Sequence, residues 1–444
     1  MSEAGDEVVV IGAGLAGCLL ATLLARRGIA VTVYERRPDP RLVGSERGRS
    51  INLAISARGL DALERVGLRE LALARALPMH GRMVHPVDGQ TGFQPYSADG
   101  RRAINSISRG GLNAALLDAA EATDGVTLRF EHRLVELDLD EGRLRLQTPA
   151  GEIHQPATVV LASDGSYSAA RRAVTFRQGF TYSQDYLEHG YKELTIPPVD
   201  GEFAMDPDAL HIWPRGQSMM IALPNLDRSF TCTLFWPHTQ LAELADQDQL
   251  TDYFRRHYPD ALALMPTLVE DYRDNPVGSL VTVRCWPWVH TGKGATLALV
   301  GDAAHAIVPF YGQGANCALE DCLEIDSCLA DYGDDWAPAL AAYQNNRKAN
   351  CETIADLALD NFVEMRDRVS SRTFQLRSAA VHALERRLPG RYVSRYELVS
   401  FSTVPYAQIP GRMRRQNIAT AAVAGAAAAA GVLLARGLRR RGRG

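Results

Sequence analysis

Val8-Val9-Val10-Ile11-Gly12-Ala13-Gly14-Leu15-Ala16-Gly17 decides the fold of this chain. The four apolar residues make a short strand suited to burial on both faces, and Leu15 to Arg27 continues past the glycines as a helix. Backbone N–H groups at the positive end of that helix then face a pyrophosphate. Gly28 stops the helix, and a second strand, Ala30-Val31-Thr32-Val33-Tyr34, delivers Glu35 about 20 residues beyond the glycines. A carboxylate there can accept hydrogen bonds from a ribose hydroxyl pair. Glycines also serve ordinary turns, so the order strand, glycines, helix, strand, acid is what selects a dinucleotide site. Taken alone, the motif fits NAD as well as FAD.

Two later segments narrow the choice to FAD. Ala157 to Ala162 and Thr296 to Val300 are apolar strands that end at Ser163-Asp164-Gly165 and at Gly301-Asp302. Ligands bind at the carboxyl ends of parallel strands, so Asp302 can accept a hydrogen bond from a ribityl hydroxyl; the other reading of this residue is a helix cap. Pro309-Phe310-Tyr311-Gly312-Gln313-Gly314 then leads into a helix expected to begin near Asn316. A helix N-terminus aimed at a flavin pyrimidine would stabilise negative charge on the reduced ring, and Gly312 and Gly314 let the backbone approach it closely. The dinucleotide fingerprint occurs once, so a nicotinamide reductant has no domain of its own and must dock transiently. No nucleophile elbow or zinc motif competes for the chemistry.

These elements organise the chain as an α/β protein with a discontinuous Rossmann-like FAD-binding domain (1–78, 101–178 and 284–336). Leu112 to Thr123 reads as a helix, Val126 to Phe130 as a strand, and Leu134 to Leu139 with Arg143 to Thr148 as a hairpin around Glu141-Gly142. From Gly179 to Trp286 the texture becomes strands separated by Pro-rich turns, which gives an antiparallel-sheet substrate domain (79–100 and 179–283). A C-terminal helical region (337–412) and a basic-flanked tail (413–444) follow.

Composition excludes several function classes. The 444 residues carry 48 Lys plus Arg against 52 Asp plus Glu, a net charge of -4, which offers no general attraction for nucleic acid. Seven cysteines, an odd total without metal-ligand spacing, suit reduced thiols, and no metal is expected. The acidic start Ser2-Glu3-Ala4-Gly5-Asp6-Glu7 runs into the first strand without a secretory signal, so cytoplasmic synthesis is expected. Near the other end, Ile418 to Ala435 is uncharged and is flanked by arginines on both sides. Its length and alanine content are marginal for a ~30 Å hydrocarbon core, so a membrane anchor and a surface helix both remain open readings.

Two arginines stand out. Arg109 can neutralise a cofactor phosphate or lie near the flavin ring. Arg82 sits in an apolar stretch with His80 and His85, where a guanidinium requires a carboxylate partner from either the protein or a ligand. Both histidines read as hydrogen-bonded structural residues.

Together the three cofactor segments resemble those of the single-component FAD-dependent aromatic hydroxylases, and the resemblance covers nearly the whole chain. Its most specific stretches are Gly48-Arg49-Ser50-Ile51-Asn52-Leu53-Ala54, Met79-His80-Gly81-Arg82-Met83, His189-Gly190-Tyr191-Lys192-Glu193-Leu194-Thr195-Ile196-Pro197-Pro198 and Leu210-His211-Ile212-Trp213-Pro214-Arg215. They point to the branch acting on L-kynurenine. The resemblance implies hydroxylation to 3-hydroxy-L-kynurenine with NADPH and O2 through a flavin C4a-hydroperoxide, without an essential side-chain base. It implies that Arg82, Tyr96, Asn361 and Tyr396 grip the substrate carboxylate. Around FAD it sets Leu15, Glu35, Arg36, Arg37, Ala54, Arg109, Leu134, Asp302, Ala315 and Asn316, which join Gly12, Gly14, Gly17, Asp164 and Gly314 of the cofactor segments, with Pro309, Phe310, Tyr311 and Gly312 near the ring. Ala315 departs from the family's usual methionine, and Tyr311 occupies a variable position. Some family members use a C-terminal segment to hold a membrane. The other readings are a hydroxylase of a different aromatic acid and a membrane-associated, redox-sensing flavoprotein.

Overall fold

The computed structural model describes residues 8–43, 52–87, 89–244, 246–368, 372–388 and 390–422. The four-residue strand Val8–Ile11 is completely buried and lies between Val159–Ala162 and Val31–Tyr34, parallel to both. This sheet continues outward to Val126–Arg129 on one side and Thr296–Leu299 on the other, with Val289–Thr291 added antiparallel at the edge. Burial on both faces explains why these strands read as unbroken apolar runs. The helix Leu15–Arg26 packs on the sheet and ends at Gly28, whose φ of 85° a side chain would oppose.

The expected hairpin forms from Arg133–Asp138 and Arg143–Thr148, and a third strand, Gly151–Pro156, extends it to a three-stranded meander. Alternation in Gly151–Pro156 is weak, because only every second residue is half-buried and none is apolar except Ile153 and Pro156. The helix expected from Leu112 begins instead at Arg109, since Ser108 Oγ accepts from Gly111 N and caps it.

The second large sheet has seven strands in the order Gly278–Trp286, Thr181–Ile196, Phe230–Pro237, Ser218–Pro224, Ala209–Arg215, Gly81–Val84 and Gly92–Pro95. All neighbours are antiparallel except Gly81–Val84, which runs parallel to Ala209–Arg215. Its strands separate two environments by their period of two. Met220, Ala222, Cys232, Leu234 and Trp236 enter a hydrophobic cluster under the helices Gln247–His257 and Leu268–Asp274. Met219, Leu223 and Phe235, on the opposite face, join the core shared with the parallel sheet. That helical layer over 238–274 is absent from the strand-only reading of the region. Asp246 caps Gln247–His257 by accepting from Asp248 N and Gln249 N, and Leu250 and Phe254 bury its one apolar face.

The C-terminal region consists of Gly314–Asp331, the long helix Trp336–Val363, a wider π turn at Glu364–Arg368, Arg372–Arg387 and Arg395–Ser400. Residues 409–422 are helical, whereas the rest of the stretch Ile418 to Ala435 lies outside the described residues. Among the described residues no helix is long and apolar enough to cross a membrane.

Candidate active site

The carboxyl ends of the parallel strands open into a cavity of about 370 Å³. Its walls include Gly14, Leu15, Ala54, Arg109, Asp302, Gly314 and Ala315, together with Pro309 to Gly312. The glycine turn is built by close backbone approach: a Cβ on Gly17 would lie 1.9 Å from Gly12 O, and one on Gly12 would lie 2.7 Å from Ser163 O. Gly14 differs, since a Cβ there meets nothing within 4 Å. The Glu35 carboxylate accepts from Ala13 N and Arg37 N, both at 3.0 Å, and so holds the acid against the glycine turn.

On the opposite wall, Gly301 rather than Asp302 takes the cap position of Asp302–His305, and no side-chain cap bond forms. Asp302 faces the cavity. The next helix starts at Gly314, two residues before the expected Asn316, and its N-terminus also lacks a side-chain cap. Asn316 explains the difference, because its side chain is used inside the fold. Its Oδ1 accepts from Ser56 N (3.0 Å) and Gly59 N (3.2 Å), while Nδ2 donates to Ala54 O (2.9 Å) and Gly312 O (2.7 Å). This clamp fixes Gly312, at φ 64°, beside Ala54. The backbone N–H groups at Gly314 and Ala315 complete a set of donors and an acceptor that fits FAD: glycine turn and acid for the dinucleotide, and a helix end for the ring.

Arg82, Tyr96, Tyr311 and Tyr396 line this cavity and also an outer one of about 410 Å³. Arg82 is 8% exposed, and among the described residues no carboxylate lies within ion-pair distance of it. Its guanidinium carbon lies 5.1 Å from the Tyr396 ring centre and 5.7 Å from that of Tyr96. Burial opposes its charge, yet Tyr96, Tyr396 and Glu364 facing it raise its pKa above the ordinary arginine value. The Tyr96 and Tyr396 rings stack at 4.6 Å, and the buried Tyr96 hydroxyl has no hydrogen-bond partner among the described residues. Glu364 is paired with Arg395 at 2.9 Å.

Other expected site residues are placed differently. Asn361 lines neither cavity: its Nδ2 donates to Phe310 O at 2.7 Å, and its buried Oδ1 has no partner among the described residues. The Asp164 carboxylate accepts from Ala169 N (2.6 Å) and Ala170 N (3.1 Å), while its neighbours Ser163 and Gly165 line the cavity. Leu134 packs in the core, and Arg36 and Arg37 lie in an exposed turn after Glu35. Of the run Gly48 to Ala54, the residues through Ile51 lie outside the described ones. His85 is bonded to Asp260 (2.7 Å) and His211 (2.8 Å), a structural network, whereas the buried His80 Nδ1 has no partner among the described residues.

Sequence reasoning did not find the cavity wall formed by Met219, Ile221, Leu223, Thr233 and Phe235. Alternation within their strands was the available signal, because each is the odd-numbered partner of a residue in the other cluster. It also did not find a buried group of His305, Cys317, Asp321 and Cys351, whose ligand atoms lie within 4.8 Å of one another. These residues come from three helices, so no spacing in the chain announces them.

Residues 6–358 match the family model described as FAD binding domain. A kynurenine 3-monooxygenase of Myxococcus xanthus is 51% identical over 413 residues, covering 91% of this chain and 88% of its own length. Proteins of the same name from Anopheles gambiae and Dictyostelium discoideum are 44% and 43% identical, covering 95% and 90% of this chain and 88% and 89% of their own lengths. Among solved structures, 2-methyl-3-hydroxypyridine-5-carboxylic acid oxygenase aligns with a TM-score of 0.66 at 20% identity, over 86% of this chain and 96% of that one. The p-nitrophenol 4-monooxygenase of Pseudomonas putida aligns at 0.65 and 17%, over 86% and 94%; both share the fold. With a cavity at the ends of its parallel strands that fits FAD, this chain is a flavin monooxygenase that belongs to the kynurenine 3-monooxygenase family.

Proposed function

We propose that the protein hydroxylates L-kynurenine to 3-hydroxy-L-kynurenine, with NADPH as reductant and O2 as oxygen donor. The observation that carries this reading is Arg82, a buried cation that has no carboxylate within ion-pair distance among the described residues and lines a cavity walled in part by aromatic side chains. An amino-acid carboxylate supplies the partner that such a guanidinium requires.

FAD, when bound, supplies electron transfer from NADPH and the activation of O2. Gly14, Leu15, Glu35, Arg109, Asp302, Gly314 and Ala315 would hold it. Arg82 binds the substrate carboxylate, with the Tyr96 and Tyr396 hydroxyls as further donors, and this fixes where the aniline ring lies. Asn361 serves one step behind, holding the Phe310 carbonyl and with it the loop beside the ring. Met219, Leu223, Phe235 and Phe310 exclude water from the reacting face. The helix N-terminus at Gly314 favours negative charge on its ligand. No side chain need remove a proton to start the reaction, because the aniline nitrogen already donates electrons to the ortho carbon that is hydroxylated. Attachment to a membrane through 418–435 is supported only by the arginines flanking that stretch.

Anaerobic reduction of the flavin by NADPH, with and without L-kynurenine, tests this function. Faster reduction with kynurenine and a hydroxylated product on admitting air are expected. If salicylate or 4-hydroxybenzoate stimulates NADPH oxidation and kynurenine does not, the substrate assignment is wrong.

A further inference from the structure

A pair of thiols lies beneath the cavity and takes no part in the chemistry above. Cys317, in the first turn of Gly314–Asp331, and Cys351, in Trp336–Val363, hold their sulfurs 3.7 Å apart, and both are buried. Arg347 donates through Nη2 to Cys317 Sγ at 3.2 Å and through Nε to Asp321 Oδ1 at 2.7 Å. The other Asp321 oxygen is engaged by His305 Nε2 (2.6 Å) and Gly301 N (3.0 Å).

The same four residues could be read as a metal centre, since their ligand atoms are close together. Their bonding argues against it. Both Asp321 oxygens and the Cys317 sulfur already accept from cationic or backbone donors, and a divalent ion would have to settle beside the Arg347 guanidinium or expel it. What the arrangement favours is a thiolate at Cys317 with a second sulfur in contact.

We infer that Cys317 and Cys351 form a peroxide-responsive pair that closes to a reversible disulfide. The Cys317 thiolate attacks one oxygen of hydrogen peroxide; the O–O bond breaks, and hydroxide leaves and takes up a proton as water. Cys317 is then a sulfenic acid. Cys351 Sγ, losing its proton, attacks the Cys317 sulfur; the S–S bond forms, the S–O bond breaks, and the departing hydroxide takes that proton as a second water. The two thiols give up two electrons, and peroxide is reduced to two waters. The sulfurs must approach from 3.7 Å to about 2.05 Å, a movement of side chains on two packed helices.

Polarity agrees with this order of events. Ala315 and Ala318, near Cys317 on the same helix, line the flavin cavity, while the Cys317 side chain is fully buried, so peroxide must pass between the packed helices to reach the sulfur. The Cys351 contact, opposed by burial and assisted by Arg347, lowers the Cys317 thiol below its ordinary value, while burial raises that of Cys351. The first is therefore the attacking sulfur and the second the resolving one.

The test uses the full-length, FAD-loaded protein treated with hydrogen peroxide, alkylated under denaturing conditions, digested without reduction and mapped by mass spectrometry. A peptide linking positions 317 and 351, two hydrogens lighter than its parts and lost on treatment with dithiothreitol, is expected. Cys18, Cys232, Cys285, Cys322 and Cys328 should remain alkylated. In Cys351→Ser, Cys317 should stop at the sulfenic acid and be captured by dimedone. Full alkylation of both Cys317 and Cys351 in the peroxide-treated protein would overturn the inference. So would an equimolar metal ion in the purified protein that disappears in Cys317→Ser.

Discussion

Replacing Arg82 by methionine separates binding from folding, because the two depend on different partners of one side chain. The guanidinium is 8% exposed and has no ion-paired carboxylate among the described residues, so its removal strands no buried anion of the protein. What the fold loses is contact with the Tyr96 and Tyr396 rings, at most about 1–2 kcal/mol, offset by relief of burying an uncompensated charge. Stability should therefore shift by about 1 kcal/mol or less, equivalent to a Tm change within about 3 °C. Substrate binding loses hydrogen bonds to a charged group in a desolvated site, about 2–4 kcal/mol, which raises the Kd for L-kynurenine roughly 30- to 1000-fold. FAD content should not change. Titration of the flavin absorbance with kynurenine, set beside thermal unfolding, reads both quantities. Arg82→Lys should fall between the two, since it keeps the charge and loses the planar fork. A Tm lowered by many degrees with kynurenine affinity retained within about threefold would refute the reasoning and make Arg82 a structural residue.

The glycine turn predicts a contrast: Gly17→Ala puts a Cβ 1.9 Å from Gly12 O and should yield little folded protein, whereas Gly14→Ala, with nothing within 4 Å, should fold and bind FAD more weakly. Expression yield and flavin content distinguish the two. Asp302→Ala should fold normally and lose about 1.5–3 kcal/mol of FAD affinity, read by reconstitution of the apoprotein; unchanged affinity would return Asp302 to a local role. Stability should be greatest near neutral pH. Burial works against a charged His305, but Asp321 and Cys317 offset it and push its pKa up to about 9, so that contribution is complete below the unfolded value of about 6.5 and is lost as pH rises toward 9. Burial depresses His211 to about 4, so its contribution is complete above about 6.5 and is lost as pH falls toward 4. Each is on the order of 3 kcal/mol, and urea unfolding of His305→Gln should lack the alkaline limb. Truncation after Arg415 removes Gln416, which bonds both the N–H and the carbonyl of Val393 near Tyr396, so it should impair substrate binding. Truncation after residue 422 keeps those bonds and should leave activity intact.

The FAD-binding core was legible because its constraints are local. A strand buried on both faces must be apolar throughout, and Gly12 and Gly17 have no room for a Cβ, so both leave unambiguous letters. The antiparallel strands of the second sheet were legible as strand-forming runs between Pro-rich turns. The helices covering it were not, although Asp246 as a cap followed by Leu250 and Phe254 carried the signal, because polar residues around that stripe made the segment resemble connecting loops. Roles that depend on tertiary geometry were hidden more deeply. Nothing in the sequence says that Asn316 spends its side chain on Ser56, Gly59, Ala54 and Gly312, or that the Asp164 carboxylate turns to Ala169 and Ala170. That no carboxylate among the described residues lies within ion-pair distance of Arg82, which favours a ligand over a protein partner, likewise becomes visible only when the chain is folded.

The two-faced strands Ser218–Pro224 and Phe230–Pro237 make this enzyme open to retuning. Met219, Ile221, Leu223, Thr233 and Phe235 can be exchanged as a palette for rings of other size and polarity, while Met220, Ala222, Cys232, Leu234 and Trp236 keep the sheet anchored to its helical backing. Selection can therefore explore new aromatic acids at alternate positions of two adjacent strands without eroding the scaffold that carries them.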